Sequence, residues 1–249
     1  MRWWYLSLIG FAAYLFFLSA NLPADYAIDW LESGNPAISI RGSAGTVWKG
    51  EAEEASFNTT PLGSVKWRFT PLGLLGGQLK YRLELSDPGQ NLTGFAAMNV
   101  ITGQYLLSGL QGRISAEIIP SLVGQSSVQT RGNVEVDIEK LGFSQQKITS
   151  ALGNIRWIDA TVQSPINVEL GNLQFNLTSD ASSVKTTIKD LAGPLKVDGE
   201  IVLSPDMTYR IQGKIKPAST SDTGLANMLR SIGRPGAEGS TLIDYSGQL

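Results

Sequence analysis

The sequence predicts an all-β protein: an antiparallel, strongly curved sheet or a sandwich, built from two similar β-units and preceded by one N-terminal transmembrane helix. Three observations carry this prediction. After Pro23, polar and apolar residues alternate along short runs, turn residues recur at intervals of about 8–12 residues, and the first 22 residues are apolar and nearly free of charge. Alternation with period two puts the apolar side chains on one face of a strand.

Residues 1–22 are predicted to be a signal anchor. No charged residue lies between Trp3 and Leu22, and a helix of about twenty residues rises roughly 30 Å, the thickness of a bilayer core. A cleaved signal peptide is disfavoured because Leu18 would occupy the −3 position, where a small residue is needed. The charge-free length also disfavours a buried helix of a soluble domain. Trp3 and Trp4 would lie at one membrane interface.

The charges that flank the anchor predict its orientation. Arg2 and the terminal amine are positive, whereas acidic residues follow the anchor at Asp25, Asp29 and Glu32. Positive flanks stay in the cytoplasm, so the N-terminus is expected inside and the rest of the chain outside. Residues 23–44 are predicted to connect the anchor to the sheet, with helical character from Tyr26 to Ser33.

A repeated hexamer predicts the two β-units, at 45–130 and 131–249. LGSVKW at Leu62–Trp67 returns as LGNIRW at Leu152–Trp157 with every substitution conserving its class. A Gly-x-Leu-x-aromatic-x-Leu run follows each copy, with Tyr81 in the first and Phe175 in the second. Coincidence among β-rich segments is the alternative. A unit of about 90 residues is too long for a solenoid repeat.

The remaining elements are predicted from the same patterns. A short helix is expected near 223–232, where Leu225, Met228, Leu229 and Ile232 follow helical spacing before Gly233. The predicted strands are Ser64–Phe69, Gln78–Leu85, Arg113–Ile118, Asn133–Ile138, Asn154–Ile158, Asn167–Leu170, Asn172–Leu177, Val184–Ile188, Leu195–Val202 and Thr208–Ile215.

The composition excludes several classes of function. The chain has 249 residues, a net charge of −2, and neither His nor Cys. Without these residues there is no Ser-His-Asp or Cys-His mechanism, no imidazole or thiolate metal ligand and no disulfide. A nucleic-acid partner is not expected, because no cluster of Lys and Arg is present. No cofactor and no enzymatic activity are predicted.

The acidic residues give no sign of a catalytic pair. Glu51, Glu53 and Glu54 cluster, and two carboxylates are enough for a glycosidase. However, they alternate with Ala52 and Ala55 in a strand-like stretch, which favours the solvated face of a strand. A hydrolase that uses carboxylates alone is therefore the least favoured alternative.

Five aromatic residues near the repeats are the candidate site. Trp48, Trp67 and Trp157 adjoin the repeated landmarks, and Tyr81 and Phe175 follow them. Large aromatic side chains of this kind are usually core residues. The functional alternative is an apolar groove or partner face, which binds a lipid or a strand of another protein.

The order of short motifs along the chain resembles the type II secretion system protein N family. The resemblance covers essentially the whole chain. Its motifs are Gly45–Ala52 (GTVWKGEA), Leu62–Gly63, Val65–Trp67, Pro71–Leu72, Leu74–Gly77, Ile232–Pro235, Tyr245 and Gly247.

The resemblance implies a single-pass component of the inner membrane of a Gram-negative bacterium, with a periplasmic domain. Its partners would be other type II secretion subunits in the inner membrane and periplasm, and it would be a non-catalytic scaffold or accessory for the export of folded proteins across the outer membrane. The alternative is a lipid-binding or lipid-transfer β-groove protein, because the family's periplasmic part is similar to curved sheets that carry lipid. That second likeness is one of fold alone.

Overall fold

The computed structural model describes residues 3–58, 60–122, 124, 127–144, 147–164, 167–180, 183–219, 229 and 233–248. Fourteen antiparallel strands form one sheet with the order β1 to β12, then β14, then β13. The strands are β1 Ile38–Gly45, β2 Lys49–Phe57, β3 Thr60–Phe69, β4 Gln78–Asp87, β5 Gln90–Asn99, β6 Tyr105–Ser115, β7 Gln129–Ser144, β8 Lys147–Ser164, β9 Val168–Ser179, β10 Val184–Ala192, β11 Leu195–Leu203, β12 Thr208–Pro217, β13 Arg234–Pro235 and β14 Thr241–Gln248.

The prediction of an all-β protein is confirmed, and of the two predicted arrangements the structure has the single sheet. Nearly every strand pairs with its neighbours in sequence, as in a meander joined by short turns. The odd-numbered strands from β1 to β11 therefore end at the same end of the sheet at which the even-numbered strands from β2 to β12 begin. We call it the proximal end, because the N-terminal segment meets the sheet there.

Two helices precede the sheet. Helix α1 spans Trp3–Ala20 and helix α2 spans Ala24–Gly34. Pro23 forms an isolated bridge with Thr46 at the proximal end, and α2 then runs along β1, where the Glu32 carboxylate accepts a hydrogen bond from the Ile40 amide at 2.7 Å. The helical character predicted for the connector is confirmed.

Among the described residues, no helix is both long enough and apolar enough to cross a membrane. The predicted anchor therefore stays a prediction. Of its residues, Trp4 is 88% exposed, Leu22 is 37% exposed, and Arg2 lies outside the described residues. The helix predicted near 223–232 also lies outside the described residues, except for the buried Leu229.

One predicted strand is too long. The strand predicted over Arg113–Ile118 ends at Ser115, and a 3-10 helix follows over Ala116–Ile118. The Ser115 hydroxyl accepts a hydrogen bond from the Glu117 amide at 3.3 Å, which caps the turn. Helix α3, Ile119–Leu122, comes next and contains Pro120, which cannot donate to a β-ladder.

Four strands were not predicted, namely β1, β5, β13 and β14. The sequences of β1, β5 and β14 mix small and polar residues, so the alternation is weak, and β13 has only two residues. In β5 a Cβ on Gly94 would lie 3.1 Å from the Cα of Leu110, so the neighbouring strand leaves little room for a side chain. In β2 a bulge lies between Ala52 and Ala55, so both alanines are buried on one face.

Both repeated hexamers contain a glycine that the strand needs. Gly63 has φ +88°, and a Cβ there would lie 2.5 Å from the carbonyl oxygen of Ser86. Gly153 has φ +153°, and its Cβ would lie 2.6 Å from the carbonyl oxygen of Asp137. Other residues rarely adopt such backbone angles. The repeat thus marks two places where strand backbones approach closely.

We expect Gly63→Ala and Gly153→Ala each to destabilise the sheet by about 1–3 kcal/mol, because each adds backbone strain and a steric clash. The matched control is Gly76→Ala, because no atom lies within 4 Å of a Cβ there and its φ is not positive. Urea unfolding of the full chain in detergent, followed by circular dichroism, measures the difference. Equal midpoints for all three variants would contradict this account of the repeat.

Candidate functional site: the two faces and the free edge of the sheet

Three aromatic rings form a row at the proximal end. The ring of Phe69 lies 4.9 Å from Trp48 and 5.3 Å from Tyr81, centroid to centroid. Partial burial raises the pKa of the Tyr81 hydroxyl above its ordinary value. Phe69 was not predicted as a site residue, although it ends the alternating strand that contains Trp67. Trp48 and Tyr81 therefore belong to one cluster, with Phe69 between them.

Trp48 joins the N-terminal helix to the sheet. Its indole Nε1 donates to the carbonyl oxygen of Ser19 at 2.6 Å, and the Val47 amide donates to the carbonyl of Leu22 at 3.0 Å. The last carbonyls of a helix have no partner within the helix. The Ser19 carbonyl accepts from Trp48 and from the Leu22 amide, at 3.3 Å, so the end of α1 is held against the β1–β2 turn.

The two tryptophans of the repeat have the same role in packing. The Nε1 of Trp67 donates to the carbonyl of Thr46 at 3.0 Å, and that of Trp157 donates to the carbonyl of Arg131 at 2.9 Å. Each indole also lies over a glycine. A Cβ on Gly50 would lie 2.4 Å from the Trp67 ring, and a Cβ on Gly132 would lie 2.9 Å from Trp157 Nε1.

The five predicted site residues are all half-buried, and they fall into two groups. Trp48, Trp67 and Tyr81 lie around β2, β3 and β4, whereas Trp157 and Phe175 lie on β8 and β9. Trp67 packs on the buried alanines of β2, and Trp157 packs on a second buried cluster from β7. Their role in binding a lipid or partner stays a prediction.

The repeat does not place the two smaller aromatics at equivalent positions. Trp67 pairs with Leu83, and Trp157 pairs with Leu173, so these four residues correspond. Tyr81, however, pairs with Phe69, whereas Phe175 pairs with Ile155. The paired tryptophan and leucine are 16 residues apart in both units, so the aromatic lies two residues before this leucine in the first unit and two residues after it in the second.

The opposite face of the sheet is polar. Glu135 on β7 forms ion pairs with arginines on the strands at either side, at 2.7 Å to Arg113 on β6 and 2.9 Å to Arg156 on β8. Beside it, Gln111 donates to the Asp137 carboxylate at 3.0 Å. A groove of about 950 Å³ is lined by these side chains. The hydrogen bond from Arg113 is the main cause that lowers the pKa of Glu135, and the charge of Arg156 adds to it.

Glutamates 51, 53 and 54 lie on β2 and are exposed, as predicted for the solvated side of a strand. Glu51 forms an ion pair with Lys66 at 3.2 Å. Within the described ranges, no group of three acidic residues is close enough to hold a metal ion.

The chain folds into one large antiparallel sheet with an apolar face and a polar face, so it belongs to the class of single-sheet β proteins. Residues 36–244 match the family model described as type II secretion system (T2SS), protein N. The chain belongs to the type II secretion system protein N family.

Relatives in several bacteria match along nearly their whole length. The chain is 26% identical over 234 residues to the type II secretion system protein N of Vibrio cholerae, with 92% of each chain covered. It is 22% identical over 240 residues to the protein of the same name from Aeromonas hydrophila, with 95% of each covered. No solved structure matches the chain.

The Arg113–Glu135–Arg156 bridge predicts acid sensitivity. A carboxylate with a lowered pKa stabilises the fold above its unfolded pKa of about 4.5, and this stabilisation is lost as the pH falls through the folded pKa. Glu135→Gln should therefore lower stability at neutral pH and reduce the loss of stability on acidification. The matched control is Glu139→Gln, which is exposed on the same strand. Thermal unfolding from neutral pH to pH 3 tests this, and parallel curves for wild type and Glu135→Gln would refute it.

The indole hydrogen bonds predict a second effect. Trp67→Phe keeps an aromatic ring but leaves the Thr46 carbonyl without its donor, so we expect a loss of about 1 kcal/mol. Trp157→Phe should cost a similar amount, because its bond to Arg131 has the same length to within 0.1 Å. Urea midpoints of the full chain in detergent measure both. If only one of the variants is destabilised, the two tryptophans are not equivalent.

Proposed function

We propose that the protein is an inner-membrane-anchored, periplasmic and non-catalytic scaffold of the type II secretion system. Its family supports a part in type II secretion. The scaffold role is supported by the outer side of Asp244–Gln248 on β14, with which no strand pairs within the described ranges; we call it the free edge of the sheet. We also propose that residues 45–130 and 131–249 are two similar units of this scaffold.

The character of α1 supports the membrane anchor. Residues with large apolar side chains are exposed all around this helix, including Leu8 at 69%, Phe16 at 75% and Phe17 at 70%. A helix that is apolar on every side belongs in a protein core or in a bilayer. The acidic residues after Pro23 favour the orientation with the N-terminus in the cytoplasm and the sheet in the periplasm.

The chemistry of the polar face supports a non-catalytic role. Catalysis by paired carboxylates needs one carboxyl group with a raised pKa to act as an acid. Glu135 has a lowered pKa because two arginines hold it ionised. The sequence offers neither His nor Cys as a replacement.

The two outer strands of the sheet differ, and this difference supports one partner site. The outer strand β1 is accompanied by α2, which caps its Ile40 amide. At the other edge, β13 pairs only with Thr241 and Leu242 of β14. Within the described ranges, no strand pairs with the outer side of Asp244–Gln248. Such an edge can accept a strand from another subunit.

Deletion of the gene tests the place in secretion. We expect folded exported hydrolases to accumulate in the periplasm, and we expect complementation with the intact gene to restore their export. The measurement is enzyme activity in the periplasmic and extracellular fractions. Unchanged export in the deletion strain would overturn the proposed role.

Crosslinking tests the free edge. Tyr245 lies on β14 and is 59% exposed, so photoreactive benzoylphenylalanine can replace it with little strain. We expect illumination of cells to link this position to another subunit of the secretion machine, identified by mass spectrometry. The same group at Leu191, 48% exposed on the internal strand β10, is the control. Equal capture at both positions would count against the edge.

The apolar face favours a second candidate, a lipid-binding groove. Half-buried apolar residues such as Trp157, Phe175 and Ile188 lie on neighbouring strands of this face. A bound acyl chain would cover them. Native mass spectrometry of gently extracted protein distinguishes the two functions, because only the lipid-binding protein should keep a stoichiometric phospholipid.

A further inference from the structure

Exposed apolar side chains concentrate at the proximal end of the sheet. Outside α1 and α2, the described residues with large exposed apolar side chains lie mostly in two adjacent turns of this end. We call this set the apolar tips; its members are Leu72, Leu74 and Leu75 between β3 and β4, Val100 and Ile101 between β5 and β6, and Tyr105 at the start of β6. Leu75 is 88% and Ile101 is 85% exposed, so the sheet covers hardly any of these side chains.

The two turns form one surface. The amide of Val100 donates to the carbonyl of Gly77 at 3.0 Å, which joins the turn after β5 to the end of the 3-10 helix Pro71–Gly76. A Cβ on Gly77 would lie 3.7 Å from the Cδ1 of Ile101. A contiguous exposed apolar surface of this kind marks a contact with a protein or a membrane.

The apolar tips lie at the same end of the sheet as the end of α1. Trp48 binds the last turn of α1, and its ring contacts Phe69, after which the first tip begins. Strands lie about 4.8 Å apart, so the tips begin roughly 10–20 Å from the end of α1 across the sheet. If α1 enters the bilayer, the membrane surface is within reach of these side chains.

The apolar tips contain no charged residue, and basic residues lie beside them. No charged residue lies between Arg68 and Lys80, nor between Pro88 and Gly112. Lys49 and Arg68 are exposed and directly opposite each other, and Arg82 continues this row on β4. Like charges in direct register repel one another. Within the described ranges, neither Lys49 nor Arg68 has a carboxylate at salt-bridge distance.

We propose that the apolar tips insert into the outer leaflet of the same membrane that holds the anchor. The Lys49–Arg68 pair then lies in the headgroup layer, a few ångströms above the tips, and binds anionic phospholipid headgroups. Apolar side chains gain by leaving water, and uncharged turns enter the acyl region without the cost of burying an ion. The inference rests on the proposed membrane anchor.

The test uses the absence of cysteine from the chain. Single cysteines replace Leu75 or Ile101 in the full-length protein, each labelled with the environment-sensitive fluorophore NBD. The control is Leu191→Cys, an exposed leucine near the distal end of β10. The labelled proteins are reconstituted into vesicles of phosphatidylethanolamine and phosphatidylglycerol. Flotation after alkaline carbonate treatment first shows whether the chain is anchored.

In anchored protein, we expect NBD at positions 75 and 101 to emit at shorter wavelength and to be quenched by lipids with spin-labelled acyl chains. NBD at position 191 should respond only to aqueous iodide. Anchored protein with all three positions accessible to iodide would overturn the inference and leave the anchor intact. Protein that does not float would refute the anchor and the inference together.

A second arm separates lipid from protein as the occupant. If positions 75 and 101 are aqueous in vesicles but protected in cells only when the other secretion subunits are present, a subunit covers the tips, and the inference is wrong. The charge pair is tested by Lys49→Gln with Arg68→Gln in the Leu75→Cys protein. We expect weaker acyl-chain quenching in anionic vesicles and no change in phosphatidylcholine vesicles. Lys66→Gln, which removes a cation already paired with Glu51, is the matched control.

Discussion

Backbone pairing between neighbouring strands is the constraint on which the rest of this structure depends. Every peptide group of a strand needs a partner, and in a single sheet the adjacent strand must supply it. The chain meets this demand by laying each strand beside the previous one through β12. Turns then fall at two opposite ends, side chains divide between two faces, and unpaired backbone is confined to the outer strands.

The close approach of backbones explains where the sequence must repeat itself. Gly63 and Gly153 permit backbone angles and contacts that a side chain would prevent, and Gly50 and Gly132 leave room for an indole. Trp67 and Trp157 fill that room and donate to the backbone carbonyls of Thr46 and Arg131. The repeated hexamer is thus a packing unit of glycine and tryptophan, used twice along one sheet.

Much of the fold could be predicted because alternation is a local signal. It indicated strands such as β4 and β12, whose apolar residues face one side without interruption. Alternation did not indicate β5 and β14. In β5, small residues such as Gly94 and Ala96 interrupt the alternation of large apolar and polar side chains, and Gly94 leaves room for Leu110 of the neighbouring strand. The bulge in β2 is also invisible in sequence, since burial of both Ala52 and Ala55 depends on the register with β3. The aromatic residues were recognised by type, but Phe69, which joins two of them, and the division into two groups follow from pairing across strands.

The strand order has a consequence for how the sheet forms. The chain is synthesised from its N-terminus, so when each strand from β2 to β12 is made, the preceding strand, with which it pairs, already exists. Contacts between sequence neighbours close short loops, which costs little entropy and favours rapid folding. The growing sheet can therefore lengthen by one strand at a time as the chain emerges. Only the last pairing departs from this order: β14 lies between β12 and β13, so this edge of the sheet is complete only after β14 has been made.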